Sequence, residues 1–295
     1  MTTILMSTYN GEKYICQQID SILQQEDVEV NLLVRDDGST DKTHSILKDY
    51  AEKGMLSWYK GDNLGPAHSF LQLLKDAPES DYYAFSDQDD YWQKDKISTA
   101  INKIRCSNEP SLYFCQTQLA DKDLTPIPTP VLKPLCTFGE ALVYQFIGGC
   151  TMVMNNALRD IVISYNPSFL QMHDVWIYCI AKAVDAVVYY DPIPHILYRQ
   201  HETNVVGQGY GQLKEWKKRI GRLLNKRQER YHIAVELQHG YQELMNQENA
   251  DLLEKFVLAK QNFSKRMALV SDKHFRCSDA GTYRRFILSL LLNTY

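Results

Sequence analysis

From residue 2 to about residue 201 the chain alternates short, β-rich apolar runs with amphipathic stretches, the pattern of helices layered on a mostly parallel sheet. The apolar runs predict strands over 3–7, 30–35, 56–60, 82–85, 112–116, 151–154, 186–190 and 196–199. Between them, Ile15, Ile19, Ile22 and Leu23 share one stripe and predict a helix over 14–24. A second helix is expected over 41–52, behind the start signal Gly38-Ser39-Thr40-Asp41. Residues 125–134 carry Pro126, Pro128, Pro130 and Pro134 and read as an excursion across the surface. After Gly207-Gln208-Gly209-Tyr210-Gly211 the strand signals stop, and helical stretches follow over 212–246 and 250–270. The expected organisation is an α/β domain over 1–208 and a helical C-terminal appendage over 209–295, without internal repeats.

Composition narrows the class. The 295 residues are 44% hydrophobic and 23% charged, ordinary for a folded soluble protein with a large core. A formal net charge of -4 argues against nucleic acid as the main partner, though it leaves room for a local basic face. The seven cysteines are odd in number and scattered, with no Cys-x-x-Cys pair, which fits a reducing cytoplasm better than a disulfide framework or a zinc site. The opening Ile4-Leu5-Met6 run has no basic n-region or long h-region, so no signal peptide is expected. No uncharged run reaches the roughly 18–20 residues that cross a bilayer.

The candidate chemistry sits where apolar runs end. Ser86-Asp87-Gln88-Asp89-Asp90-Tyr91-Trp92 stacks three carboxylates directly behind Tyr82-Tyr83-Ala84-Phe85. Such a cluster at a strand's C-terminal end repels itself unless a cation or a donor-rich ligand compensates, and open α/β sheets hold ligands at that edge. Ser7-Thr8-Tyr9-Asn10-Gly11 ends the first strand and offers an aromatic for base stacking, or a packing residue. Val34-Arg35-Asp36-Asp37-Gly38 ends the second and offers a carboxylate for an imide N–H. His173-Asp174 opens an amphipathic stretch, where Asp174 fits either an N-cap or a base facing a pocket. Gly148-Gly149 fits a close approach to a sugar or a tight turn. His68 and His195 read as structural.

These segments, in this order and spacing, resemble the family 2 glycosyltransferases, inverting enzymes of the GT-A fold that use nucleotide-sugar donors. The resemblance covers roughly residues 1–207. The Asp-Gln-Asp-Asp-x-Trp form, His173-Asp174 and the later Tyr198-Arg199-Gln200-His201-Glu202-Thr203-Asn204 resemble the rhamnosyltransferase-like branch that builds bacterial surface polysaccharides. The resemblance implies donor contacts from Thr8, Tyr9, Asp37, Asp87 and Gln88, with Tyr9 stacking on the base and Asp37 accepting the pyrimidine N3–H. It implies a divalent cation, Mn²⁺ or Mg²⁺, at Asp89 with His201 approaching it, and Asp174 as general base. Asp36, Asn63, Asp90, Trp92, His173 and Asn204 form a second rank. Which two of the three loop carboxylates touch the cation stays open, and Asp36 is equally well a turn residue. The implied donor is dTDP-rhamnose or a UDP-hexose, and the acceptor a saccharide or polyprenyl-linked saccharide.

Lys214, Lys217, Lys218, Arg219, Arg222, Lys226, Arg227 and Arg230 interleave with Leu213, Trp216, Ile220, Leu223 and Leu224 as a basic amphipathic helix. It suits an anionic membrane surface or packing on the catalytic domain or a sister chain. The terminal run from Phe286 to Leu292 suits an oligomer contact or a membrane foot. Two other functions would show themselves differently. A sugar-phosphate nucleotidyltransferase would open on a glycine-rich loop holding an Arg and a Lys, where this chain has Ser-Thr-Tyr-Asn-Gly. A non-catalytic scaffold binding polyanions or membranes would differ by failing to hydrolyse donor with metal.

Overall fold

The computed structural model describes residues 1–106, 108–132, 137–144, 147–201 and 228–295. Its main sheet has seven strands in the order β3-β2-β1-β4-β8-β6-β9. These are β1 (Thr2–Thr8), β2 (Val30–Asp36), β3 (Ser57–Lys60), β4 (Tyr82–Ser86), β6 (Ser111–Cys115), β8 (Val153–Asn155) and β9 (Val187–Asp191). β1 pairs parallel with β2 and β4, and β6 parallel with β9, while β8 runs antiparallel to both β4 and β6. The strand order reverses beside β1, so the ends of β1 and β4 form a switch point that opens a crevice.

The sequence places these strands within a residue or two. The largest offset is at the run 151–154, where Gly149–Thr151 is a 3₁₀ turn and the strand starts two residues later, at Val153. A second, three-stranded sheet, β5 (Tyr91–Trp92), β10 (Ile196–Arg199) and β7 (Gln118–Ala120), has the order β5-β10-β7. β5 and β7 escaped prediction because two or three residues are too few to show a period. Trp92 pairs with Ile196 and Tyr91 with Leu197, so β10 carries Arg199 and His201 alongside the acidic loop.

Helices α1 (Ile15–Leu23) and α2 (Thr43–Glu52) form where expected. α3 (Gly65–Asp76), α4 (Lys96–Ile104), α5 (Phe138–Val143), α6 (Asn156–Ile163) and α7 (His173–Ala183) complete the layers. α3 carried a readable signal, since Pro66 stands in its first turn, where a missing N–H costs nothing. Residues 125–132 run irregularly, tied back by Gln118 and Gln116 side chains that donate to the carbonyls of Ile127 and Pro130.

Beyond residue 227 come α8 (Glu229–Tyr241), α9 (Gln247–Leu258), α10 (Phe263–Ser271) and α11 (Ala280–Leu291). Ile233, Leu237, Phe256, Phe286 and Leu290 join Trp176, Ile177 and Ile180 of α7 in one hydrophobic cluster. Arg230 donates through Nε to the Val143 carbonyl at 2.7 Å and lies over the Phe286 ring, so it faces protein and not an open basic surface. Phe286 and Leu290 are buried, while Leu288, Leu291 and Leu292 are exposed. The expected boundary near Gly209, Asn204 and the remaining basic residues of 214–227 lie outside the described residues. No helix among the described residues is long and apolar enough to cross a membrane.

Candidate active site

Three parallel strands end at one edge, and their loops meet there. β1 ends level with β2, Thr8 opposite Asp36. Gln88 then welds the end of β1 to the loop after β4. Its Oε1 accepts from Thr8 Oγ1 at 2.6 Å and Tyr9 N at 2.9 Å, and its Nε2 donates to Tyr9 O at 3.2 Å. The side-chain amide expected at the donor is therefore occupied in shaping the crevice floor. Tyr9 is left 47% exposed, an aromatic face open for stacking.

After β2, both carboxylates are held inside the protein. Asp36 is fully buried, accepting from Ser39 N and Oγ and pairing with His44, which makes it a turn residue, one of the two roles its sequence allowed. Asp37 pairs with Arg35 and accepts from the backbone N–H groups of Leu64 at 3.0 Å and Gly65 at 2.9 Å. Those amides open α3, where the helix dipole favours an anion. Asn63 flanks this turn, its N 3.6 Å from where a Cβ on Gly38 would stand. Three of the roughly four carboxylate acceptor sites on Asp37 are thus used.

The acidic loop itself is packed. Asp90 is fully buried, Oδ1 accepts from Arg199 N at 3.1 Å, and Oδ2 has no hydrogen-bond partner among the described residues. Asp89 Oδ2 faces His201 Nε2 at 2.9 Å. Burial, with the negative charges of Asp89 and then Asp174, pushes the Asp87 carboxyl up to about 7. Burial, then the charges of Asp89 and Asp87, raises Asp90 well above the usual carboxylate range. Trp92 is buried beneath the loop, its ring 3.6 Å from Lys96 Nζ, so it supports the loop and has no exposed surface for an acceptor.

The fourth contributor arrives through β8. Because β8 runs antiparallel to β4, the turn Gly149–Thr151 that precedes it lies at the carboxyl end of β4. Gly149 N donates to Asp174 Oδ2 at 3.1 Å, and Val175 N to Oδ1 at 2.7 Å. Burial raises the Asp174 carboxyl to about 6, against the lowering effect of those amides. Asp174 acts on Asp87 electrostatically, and Gly149, whose amide holds Asp174, directly precedes Cys150, whose sulfur lies with Asp87 and Asp90, so the helix carboxylate and the loop carboxylates are neighbours. His173 also flanks Gly149, its ring 4.1 Å from that of Phe70 and 5.1 Å from that of Phe85, and burial lowers it to about 3. It is a neutral packing residue beside Asp174.

A Cβ on Gly149 would overlap His173 Nε2, whereas one on Gly148 meets only ordinary contacts at 3.7 Å. Gly149→Ala is expected to destabilise the fold by about 1–3 kcal/mol and displace the amide that holds Asp174, with Gly148→Ala as the control. Denaturant midpoints of the two variants check this.

Residue-by-residue reading missed three members of the site. Arg199, buried, donates from Nε to the Asp89 carbonyl at 2.7 Å and from its guanidinium to Gln17 Oε1 at 2.6 Å and to the Lys122 carbonyl. It also lies 4.4 Å from the Tyr14 ring centroid. A lone Arg ending an apolar strand was the available signal. Cys150 and Lys96 gave none, being single residues whose partners are distant in sequence. Asp87, Asp90 and Cys150 offer ligand atoms within 4.8 Å of one another. Crowded carboxylates with raised proton affinity and a buried unpartnered oxygen suit a hard divalent cation.

The family described as Glycosyl transferase family 2 matches residues 3–161 of the chain. The dTDP-rhamnosyl transferase RfbG of Shigella flexneri is 33% identical over 248 residues, covering 75% of this chain and 80% of that protein. The UDP-Glc:alpha-D-GlcNAc-diphosphoundecaprenol beta-1,3-glucosyltransferase WfaP of Escherichia coli is 24% identical over 187 residues, 63% of this chain and 72% of its own. The crystal structure of S. aureus TarS 1-349 in complex with UDP-GlcNAc superposes with a TM-score of 0.57 at 18% identity, covering 100% of this chain and 92% of that one. The mannosyltransferase PcManGT from Pyrobaculum calidifontis, in complex with GDP-Man and Mn²⁺, gives 0.55 at 16% identity, covering 99% and 86%. Both of these structural likenesses concern the fold.

Proposed function

Because this chain belongs to glycosyl transferase family 2 and is a glycosyltransferase, we propose that it transfers a sugar, with inversion, from a nucleotide-sugar donor to a hydroxyl of a saccharide or lipid-linked saccharide in surface-polysaccharide synthesis. A dTDP-linked deoxyhexose such as rhamnose leads as donor, supported by the similarity to the Shigella dTDP-rhamnosyl transferase, with UDP-hexoses next. The single observation that supports the reading is that Asp174, held by the Gly149 amide, lies near enough to Asp87 to raise its proton affinity, while Asp87 in turn lies beside Asp89 and Asp90 at the ends of β1 and β4.

Tyr9 offers its exposed face to the base, on a backbone held by Gln88. Asp37 keeps one acceptor site for an imide N–H. Asp89, with Asp87 or Asp90, would hold a divalent cation, supported by the Mn²⁺ that accompanies GDP-Man in the mannosyltransferase of like fold. When bound there, a cation would neutralise charge developing on the leaving diphosphate. Asp174, fixed by the Gly149 amide, removes the proton of the acceptor hydroxyl as its oxygen attacks the anomeric carbon, worth about 10²- to 10⁴-fold. One base and one displacement give inversion.

The test is a thermal-shift panel of dTDP-rhamnose, UDP-hexoses and the free diphosphates, with and without Mn²⁺ or Mg²⁺, since a ligand of the native state raises the melting temperature. Asp89→Ala is expected to abolish the metal-dependent part of the shift. Equal metal-dependent shifts in wild type and Asp89→Ala would remove the cation from this site.

A further inference from the structure

We propose that Cys150 is a metal ligand: its Sγ, with one carboxylate oxygen each from Asp87 and Asp90, forms a thiolate-containing cation site that favours Cd²⁺ and Zn²⁺ over Mg²⁺. The inference rests on the reading of the cleft as a cation site and adds to it a donor atom that changes its selectivity. The three ligand atoms lie within 4.8 Å of one another, so a small adjustment brings them to the spacing of one coordination shell. Asp90 Oδ2 supplies a further sign, being fully buried with no hydrogen bond of ordinary geometry among the described residues, while the neighbouring Cys150 thiol lowers the proton affinity of both Asp90 and Asp87. An unpartnered buried carboxylate oxygen is costly, and a cation relieves that cost. Asp87, partly exposed, gives the site an opening to the cleft.

The turn geometry holds the sulfur in place. Thr151 Oγ1 donates to the Gly148 carbonyl at 2.7 Å, and Thr151 N to the same oxygen at 2.9 Å, pinning Cys150 between them. Two carboxylates and a thiolate, with Asp89 beside them, carry more negative charge than a divalent cation neutralises. Lys96 offsets part of it: its amine is fully buried with no hydrogen-bond partner among the described residues and interacts electrostatically with Cys115, Cys150 and Asp90. Without a cation the thiol keeps its proton, because burial and the Asp90 and Asp87 charges raise its proton affinity. Binding expels that proton to solvent. A soft donor among hard ones favours Cd²⁺ and Zn²⁺, whereas Mg²⁺ gains nothing from sulfur.

The experiment titrates wild type, Cys150→Ser and Asp90→Asn with Cd²⁺, following the ultraviolet absorption of the Cd²⁺–thiolate bond, and records melting temperatures with Cd²⁺, Mn²⁺ and Mg²⁺. Subtracting the Cys150→Ser spectrum removes signal from the exposed Cys16 and Cys106. The expected result is a band in wild type that Cys150→Ser loses, with Cd²⁺ affinity falling at least about tenfold and the Mg²⁺ response unchanged. Asp90→Asn keeps the thiol and should weaken Cd²⁺ by a similar factor, which serves if Cys150→Ser does not fold. The same band and the same Cd²⁺ affinity in all folded variants would overturn the proposal. If Mn²⁺ stabilisation by a nucleoside diphosphate persists while the Cd²⁺ arm fails, only the Cys150 ligand falls. If no cation stabilises wild type, the reading of the cleft falls with it.

Discussion

Asp174→Asn is expected to bind donor as wild type does while losing about 10²- to 10⁴-fold in turnover, and to melt at a higher temperature than wild type at pH 8. The combination follows from one cause. Burial raises the Asp174 carboxyl to about 6, so the folded state holds the proton more tightly than the unfolded chain does. As pH rises through that value the fold loses stability, because the charge must form in a buried site. At pH 8 wild type carries the whole penalty, on the order of 3 kcal/mol, and at pH 4 almost none. Asn carries no charge at either pH; its oxygen can accept from Gly149 N, while its NH2 then stands where the Val175 N–H had an acceptor, a loss of about 1 kcal/mol that offsets part of the gain. Activity runs the opposite way. The base works only deprotonated, so with donor and cation saturating, wild-type turnover should rise about tenfold per pH unit below about 6 and level above it. The residual rate of the variant should be flat across that interval. Turnover, melting curves at pH 4 and pH 8, and the pH profile together separate a base from a helix-capping residue, which would lower stability when removed and leave the profile's shape alone.

Asp174 also shows how far sequence reaches into this site. The acidic loop was legible because three carboxylates directly behind an apolar strand repel one another unless something compensates them, and because other segments ending strands point to the same edge; a lone Asp-x-Asp reads equally as a solvated acidic turn. Asp174 was legible only by resemblance, since an Asp in a first helical turn is more often a cap. The Gly149 amide that holds it was out of reach. That contact depends on β8 running antiparallel to β4, which no local pattern encodes. The same topology brings Cys150 to Asp87 and Asp90 from a distant part of the sequence. Asp36 and Asp37 illustrate the reverse case. The sequence offers Asp37 for the pyrimidine N3–H and Asp36 as a second-rank residue or a turn residue, but only the folded chain reveals that His44 and Ser39 take up Asp36 while Arg35 and the start of α3 take up most of Asp37. Composition changed after residue 207, which predicted an appendage. Yet the described C-terminal helices bury Ile233, Leu237 and Phe256 with α7 in a shared cluster, because an apolar stripe reveals that a face is buried and not what covers it.

Arg199→Met is expected to cost about 3 kcal/mol of stability and to weaken cation-dependent donor binding, although Arg199 touches neither ligand in the proposed mechanism. The guanidinium joins three chain segments: the Asp89 carbonyl in the acidic loop, the Lys122 carbonyl after β7, and Gln17 in α1. Met fills much of the same volume and keeps contact with Tyr14, but leaves three acceptors without their donor. Each buried acceptor left unsatisfied costs about 1–3 kcal/mol, and those that water can reach cost less. For a chain of this size about 3 kcal/mol lowers the melting temperature by roughly 6–12 °C. The functional loss has a separate origin. Arg199 also presents its backbone N–H to Asp90 Oδ1 and precedes His201, which faces Asp89, so the side chain fixes the strand end from which two loop carboxylates are held. Arg199→Lys keeps the charge but reaches one acceptor where the planar fork reaches three. It should therefore recover only part of either loss. A melting temperature within about 2 °C of wild type for Arg199→Met, with unchanged Mn²⁺ dependence, would mean that β5 and β10 pairing alone holds the acidic loop in place.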